Sequence, residues 1–468
     1  MSKTMKLIAL SLCLILCVSV LAGCKKDQPD VVDNGEGTIT IKLGDWPLQE
    51  GQPERYAVYE KNKAAFEEKY PNIKIETDDW WYSVDTFLPL AASGQLPNMY
   101  RVPYTEPRKI IGSGYALDIT DVFVGNGFDK TMNKNALSLV EKDNGYFGIP
   151  YSGYMLCMQY NVALFEEAGL VDENGVPTYP TTWEEVGEIS KIIKDKTGKY
   201  GFSIATTDTW GGWHFLQIAW GFGVNFMEEV DGKFIATFDS QETINALQWY
   251  SDMKWKYDVL PVNVLLTGED LDQLFGTQQL AMRYGGSGEN IDRKMLDYGI
   301  QIEDIGMGPI PGGEGGRFAQ FGGSVYLFSK ETSPEQVDAC IKWINFVGEG
   351  PEAEEGYREM VEEKFQLYEA EKNGIVPTDR GGFFVYEQSE QVKITNEISA
   401  KYANINPNYF MNIQEGVTLR PEEPMYAQQL YSTFSNLLQD VLLNENADIP
   451  ALLKQAQINF QKDYLDQI

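Results

Sequence analysis

Four tryptophans in this chain of 468 residues fall in predicted turns, where their rings could meet a ligand. Trp80-Trp81 follow Asp78-Asp79, and Trp210 and Trp213 flank a glycine pair in Thr209-Trp210-Gly211-Gly212-Trp213. An indole offers a flat apolar face and a single N–H donor. Beside a few planar polar groups, such faces form a surface for non-covalent recognition. Bond-breaking chemistry has less to work with. The single histidine, His214, has no second His or nearby Cys, so a histidine-based zinc site is not expected. No G-x-S-x-G string makes it the base of a nucleophile. The stretch GPIPGGEGG (308–316) lacks the Lys-Ser/Thr of a phosphate loop. Asp172-Glu173-Asn174-Gly175 and Asp143-Asn144-Gly145 lack the spacing of a calcium loop and read as solvated turns. No metal and no cofactor are expected.

The elements that must carry these rings read as alternating strands and helices. Ile39, Ile41 and Leu43 alternate as a strand, and Gly44-Asp45-Trp46-Pro47 breaks it. A helix is predicted from about Pro53 to Tyr70, with Val58, Tyr59, Ala65, Phe66 and Tyr70 on one stripe, and Ile73–Ile75 starts the next strand. This is the βαβ pattern of an α/β protein. Thr182 with Glu185, Asp239 with Glu242, and Ser333 with Gln336 read as helix caps, and Asp448-Ile449-Pro450 opens a final helix. Ligands of open α/β sheets bind beyond strand ends. The candidates chosen on that ground are Asp45, Trp46, Trp80, Trp81, Arg101, Tyr104, Trp210, Trp213, Arg283, Tyr284 and Gly323. Trp183, Trp249, Trp255 and Trp343 lie on helix stripes and are assigned to the core. For Arg101 and Arg283 a structural ion pair is the competing role, and for Asp45 a helix cap.

The first residues address a different question. Lys3 and Lys6 precede an uncharged apolar run from Leu7 to about Val20, ending in Leu21-Ala22-Gly23-Cys24. That is the layout of a secretory signal, with a core too short for an ordinary membrane span. LAGC resembles the bacterial lipobox, so residues 1–23 are expected to be removed, Cys24 to carry lipid, and 24–37 to be a flexible tether. Removing 1–23 takes away two lysines, leaving 36 basic against 69 acidic residues and a net charge of −33. Such a surface repels phosphate backbones, and no nucleic-acid partner is expected. Of five cysteines three then remain; with Cys24 taken by lipid, Cys157 and Cys340 are left, and both lie in hydrophobic segments. Two buried thiols are expected rather than a bridge.

Three runs carry a resemblance. GIPYSGYMLCMQYNVALFEEAGL (148–170) with PTTWEEV (180–186), FGTQQLAMRYGGSGENI (275–291) and GGSVYLFSKETSPEQVDACIKWINFV (322–347) occur in order. Together they resemble the extracellular solute-binding proteins of sugar-importing ABC transporters, the group that includes maltose-binding protein. The second run departs from the family pattern: Gln stands where a glycine precedes the buried strand, and no Trp follows Gly286. The resemblance implies two α/β lobes of the periplasmic-binding-protein type II fold, closing like a hinged clamp. It places 38–152 with 310–358 in the first lobe and 153–309 with 359–468 in the second. It also puts Tyr154 at the crossing, where it would line the cleft or fill the hinge.

The resemblance implies a lipid-anchored, monomeric, non-enzymatic receptor on the outer face of the cell membrane. It would capture an oligosaccharide or related sugar and pass it to ABC permease subunits. Sugars present C–H faces rimmed by hydroxyls, which suits aromatic platforms with planar polar groups. The alternatives are a secreted carbohydrate-active enzyme using two carboxylates, or a peptide or polyamine receptor on the same scaffold. Sixty-nine acidic residues make some carboxylate pair inevitable and so support neither.

Overall fold

Ile41 and Leu43 are buried along β1 (Ile39–Leu43), and the strand forms where the alternation predicts it. In this computed structural model the described residues are 37–286, 293–353, 355–371, 383–387 and 389–467. The signal segment, Cys24, the rest of the tether to residue 36 and Ser287–Ile291 of the second run lie outside them.

After β1 come α1 (Pro53–Lys69), β2 (Ile73–Thr77), α2 (Val84–Ser93), β3 (Met99–Pro103), α3 (Pro107–Gly112) and the long β4 (Gly148–Asn161). The chain continues through α4 (Val162–Ala168), α5 (Trp183–Thr197), β5 (Tyr200–Phe202), α6 (Trp210–Gly221), β6 (Met227–Val230), β7 (Lys233–Ala236) and α7 (Gln241–Trp255). Then follow α8 (Gly268–Gly276), β8 (Leu280–Gly286), β9 (Ile305–Gly308), β10 (Phe318–Phe328) and α9 (Pro334–Phe346). The last elements are α10 (Tyr357–Glu371), α11 (Glu390–Ser399), β11 (Thr418–Pro421), α12 (Ala427–Leu443) and α13 (Ile449–Asp463).

One mixed sheet runs β2-β1-β3-β10-β4-β8-β5, with β9 beside β4 and β11 beside β10. β1 and β2 are parallel, as a βαβ unit requires. β4 is 14 residues long and serves both ends of the sheet. Its first half pairs with β10, from Gly148 opposite Leu327 to Met155 opposite Phe321. Its second half pairs with β8, from Leu156 opposite Gly286 to Tyr160 opposite Met282, and with β9. The first lobe is thus built on β2-β1-β3 and the second on β5-β8-β9, with β4 and β10 crossing between them.

Local signals place most helices. Thr182 and Glu185 form a reciprocal capping box on α5, as do Ser333 and Gln336 on α9, and Asp448 caps α13. On α7 the cap is Ser240, whose side chain accepts from the Thr243 N–H, and not Asp239. The α1 stripe is narrower than expected: Phe66 is its buried residue and Val58 is 55% exposed. Trp183 and Trp343 are core residues and Trp249 is partly buried against Trp183, but Trp255 is exposed, its indole N–H donating to the Val441 carbonyl at 2.9 Å. Cys157 and Cys340 are free, buried thiols.

Near the end of the chain, residues 383–386 contact first-lobe residues and the crossing strands. Tyr386 donates to the Pro150 carbonyl at 3.0 Å, Asn133 donates its backbone N–H to Val385 at 2.8 Å, and Phe383 stacks on Phe321. The segment leading into α11 therefore packs on the first lobe and the crossing strands. α10 joins it through Arg358 and Glu397. Contacts with second-lobe elements resume at Tyr409, whose carbonyl accepts from the Tyr179 hydroxyl at 3.0 Å, and at Met411, whose N–H donates to Met307 of β9 at 2.9 Å; α12 then packs on α6. An amphipathic helix reports that it has an apolar face, and its periodicity carries nothing about which lobe covers that face.

Candidate ligand-binding cleft

The cleft is shaped by two adjacent glycines. A Cβ at Gly212 would lie 2.2 Å from the Tyr431 carbonyl oxygen, and one at Gly211 2.9 Å from Ser435 Oγ. Without side chains there, α6 lies backbone to backbone on α12, and the Gly212 N–H donates to Ser435 Oγ at 2.9 Å. Trp210 and Trp213 therefore stand in the first turn of a helix, where the sequence reading placed a loop. Both rings face a cleft of about 700 Å³ between the crossing strands and the second lobe.

Six candidates line this cleft together: Tyr154, Trp210, Trp213, Arg283, Tyr284 and Gly323. Tyr154 meets Trp213 at 6.3 Å and 66°. Gly323 lies inside β10, where a Cβ would fall 2.1 Å from the Ser152 carbonyl oxygen across the sheet. Arg283 and Tyr284 are strand residues of β8. Arg283 forms an ion pair with Asp272 of α8, and both side chains are largely buried. Its Nε–H donates to the Tyr284 carbonyl at 3.0 Å. The Tyr284 hydroxyl is buried, with no hydrogen-bond partner among the described residues.

Two titratable groups complete the wall. His214 Nδ1 accepts the Ala205 N–H at 3.2 Å, which puts the proton of the neutral ring on Nε2. Burial, reinforced by Arg283, pushes the imidazolium down to about 3. Glu422 reaches the cleft from the segment between β11 and α12. Its Oε1 accepts from Trp213 Nε1–H at 3.1 Å and from the Tyr431 hydroxyl at 2.7 Å. Desolvation outweighs those bonds and pushes its carboxyl up to about 7.

The other six candidates lie elsewhere in the first lobe. Trp46 is core, 5% exposed, packed on Tyr59 and Trp343 with its N–H donating to Glu60 at 3.1 Å. Tyr104 is buried against Phe321 and Phe383. Asp45 and Arg101 form an ion pair at 3.0 Å, with Arg101 also bound to Tyr59 and set over the Tyr151 and Tyr326 rings. Arg101 takes the ion-pair role that competed with binding; Asp45 is its partner and not the helix cap expected, the N-cap of α1 being Gln52. Trp80 is half-buried and donates to Thr86 Oγ1 at 3.0 Å, while Trp81 is 69% exposed; neither lines the cleft. A strand end is a good address for a site only on the side where the second lobe faces it.

Sequence reasoning missed Asp272, His214, Glu422, Gln428 and Tyr431, all of which line the cleft. Asp272 could have been suspected eleven residues before Arg283 on a helix leading into its strand. Glu422 had no local signal. Its partner Trp213 is 209 residues away.

Similarity to known proteins agrees with this architecture. The model of the bacterial extracellular solute-binding protein family matches residues 48–349. An arabinooligosaccharide-binding protein of Halalkalibacterium halodurans is 30% identical over 122 residues, 26% of this chain and 25% of that protein. The chain thus matches about a quarter of that relative's length. A solute-binding protein from Thermotoga lettingae, solved with α-D-tagatose, is alike in fold at TM-score 0.62 and 19% identity, covering 91% of this chain and 99% of that one. UgpB from Mycobacterium tuberculosis, solved with glycerophosphocholine, gives TM-score 0.64 at 18% identity over 92% and 99%. Among the described residues no helix is long and apolar enough to cross a membrane.

Proposed function

The chain belongs to the bacterial extracellular solute-binding protein family, and we propose that it captures a neutral oligosaccharide or related sugar for an ABC importer. The observation that carries this reading is the aromatic corner of Trp210 and Trp213, extended by Tyr154, in a cleft whose one lining cation among the described residues is neutralised by Asp272. Stacked rings suit the C–H faces of pyranose or furanose units. The neutral His214 Nε2–H suits a sugar hydroxyl. A phosphate-bearing ligand would call for a free cation, which the Arg283–Asp272 pair does not supply.

Nor does the cleft favour hydrolysis. Asp272 is ion-paired and Glu422 accepts two hydrogen bonds, so both act as structure for the site. Lobe closure on the ligand would present the loaded form to the permease. Cys24 would anchor the body to the outer face of the membrane through lipid, leaving the tether to span the gap.

A thermal-shift and calorimetric screen tests the reading, using neutral gluco- and arabino-oligosaccharides against glycerophosphodiesters and polyamines. A neutral oligosaccharide should raise the melting temperature and be recovered intact. Binding confined to charged ligands, or release of shorter sugars, would overturn it. Cys24→Ala should move the protein from the detergent phase to the aqueous phase on Triton X-114 partition.

A further inference from the structure

Building on the sugar-binding reading, we propose that Glu422 is a positioning residue for that cleft, whose carboxylate holds the Trp213 platform and couples its placement to pH. An indole has one donor, so the bond from Nε1–H to Glu422 Oε1 at 3.1 Å fixes the rotation of the Trp213 ring. The same oxygen takes the Tyr431 hydroxyl proton at 2.7 Å. A single carboxylate oxygen thereby ties the first turn of α6 to α12, the two helices that the Gly211-Gly212 pair brings into backbone contact. With the indole held there, Trp210 and Tyr154 pack against it and complete the corner.

The surroundings of Glu422 make its charge conditional. From α6 it faces the Trp213 N–H, from α12 Tyr431, and from β10 the Gln320 amide, all of which favour the carboxylate. From the segment after β3 comes Glu106, a like charge that itself accepts from Tyr82. Tyr154 of β4 faces Tyr431 in turn. On its own segment the Arg420 guanidinium is taken by Glu423, at 3.3 Å, and lies over the Trp220 ring. Among the described residues Glu422 thus has donors but no salt-bridge partner. Donors to an ionised acceptor make bonds roughly twice as strong as donors to a neutral one. Its carboxyl, pushed up to about 7, gains a proton just below neutrality, and the bond that holds Trp213 weakens with it.

The test uses the full chain labelled with 5-fluorotryptophan, without ligand, followed by fluorine NMR from pH 5.5 to 8.5. The Trp213 resonance, identified by its loss in Trp213→Phe, should shift with a midpoint near neutral pH. That shift should be absent in Glu422→Gln and return in Glu422→Asp. A resonance that stays still, or moves equally in Glu422→Gln, would overturn the proposal. In the second arm, calorimetry with neutral gluco- and arabino-oligosaccharides should give about fivefold tighter binding at pH 8 than at pH 5.5, flattened in Glu422→Gln. If no oligosaccharide binds the unsubstituted chain, the sugar reading fails, and the fluorine titration still decides Glu422.

Discussion

Trp210 and Trp213 meet edge to face, their ring centres 5.3 Å apart and their planes at 87°. One helical turn separates them, so the corner they form is a property of α6 itself, turned toward the cleft by its contact with α12. Trp213 is braced by Glu422, whereas Trp210 is 47% exposed and open to a ligand face.

Alanine at Trp210 should therefore weaken oligosaccharide binding by about 1–2 kcal/mol, roughly ten- to thirtyfold, while leaving the melting temperature nearly unchanged. Alanine at Trp213 should cost as much affinity and some stability, since it also removes one of the donors to Glu422. Alanine at Trp81, exposed but outside the cleft, should do neither. Calorimetry and thermal denaturation read all three, and an affinity loss at Trp81 alone would relocate the site.

Gly212→Ala places a methyl 2.2 Å from the Tyr431 carbonyl oxygen, main-chain atoms on both sides. Nothing there can rotate away, so α6 and α12 must separate. A destabilisation of about 1–3 kcal/mol is expected, with weaker ligand binding as Trp213 leaves Glu422. A variant as stable as the parent would mean the helices are not in backbone contact.

His214 and Glu422 should pull stability in opposite directions with pH. The folded imidazolium is pushed from the ordinary value of 6.5 down to about 3, so stability from His214 is complete above 6.5 and is lost as pH falls toward 3. The folded Glu422 carboxyl is raised from 4.5 to about 7, so its contribution is complete below 4.5 and is lost as pH rises through 7. Between 4.5 and 6.5 the two slopes oppose. Denaturant unfolding of His214→Asn should show stability falling as pH rises in that window, and Glu422→Gln should show it rising, each by about 1–3 kcal/mol. Parallel profiles in both variants would refute the assignment.

Arg108 of α3 reaches across the lobes to Glu229 of β6 at 2.7 Å, with its guanidinium 5.4 Å from the centre of the Phe234 ring on β7. The pair is exposed, so it contributes about 0.2–1 kcal/mol and is screened by salt. Arg108→Ala should widen the unliganded particle in small-angle scattering and reduce ligand affinity a few-fold at low ionic strength. The difference should shrink in 1 M salt. Identical scattering profiles would remove this contact from the closing motion.

Much of the fold could be read along the chain because its signals are local. The alternation of Ile39, Ile41 and Leu43, the Thr182–Glu185 and Ser333–Gln336 boxes and the Asp448 cap each depend on neighbours within a turn or a strand. The cap of α7 slipped by one residue, from Asp239 to Ser240, because both side chains can accept and only the backbone path chooses. Of the site, the Gly-flanked tryptophans and the Arg283-Tyr284 strand were legible as types. Trp46 misled because an indole after a strand can turn toward Tyr59 and Trp343 as readily as toward a ligand.

The amino-acid sequence by itself determined that this is an α/β chain rich in aromatic rings and with a single histidine, since composition and periodicity need no partner to be read. Only the tertiary structure decided which rings share a cleft and which carboxylate holds one of them. Glu422 and Trp213 are 209 residues apart along the chain. Burial and hydrogen bonding act between atoms in space, and no spacing rule reaches across the packing of α12 on α6 that brings these two together.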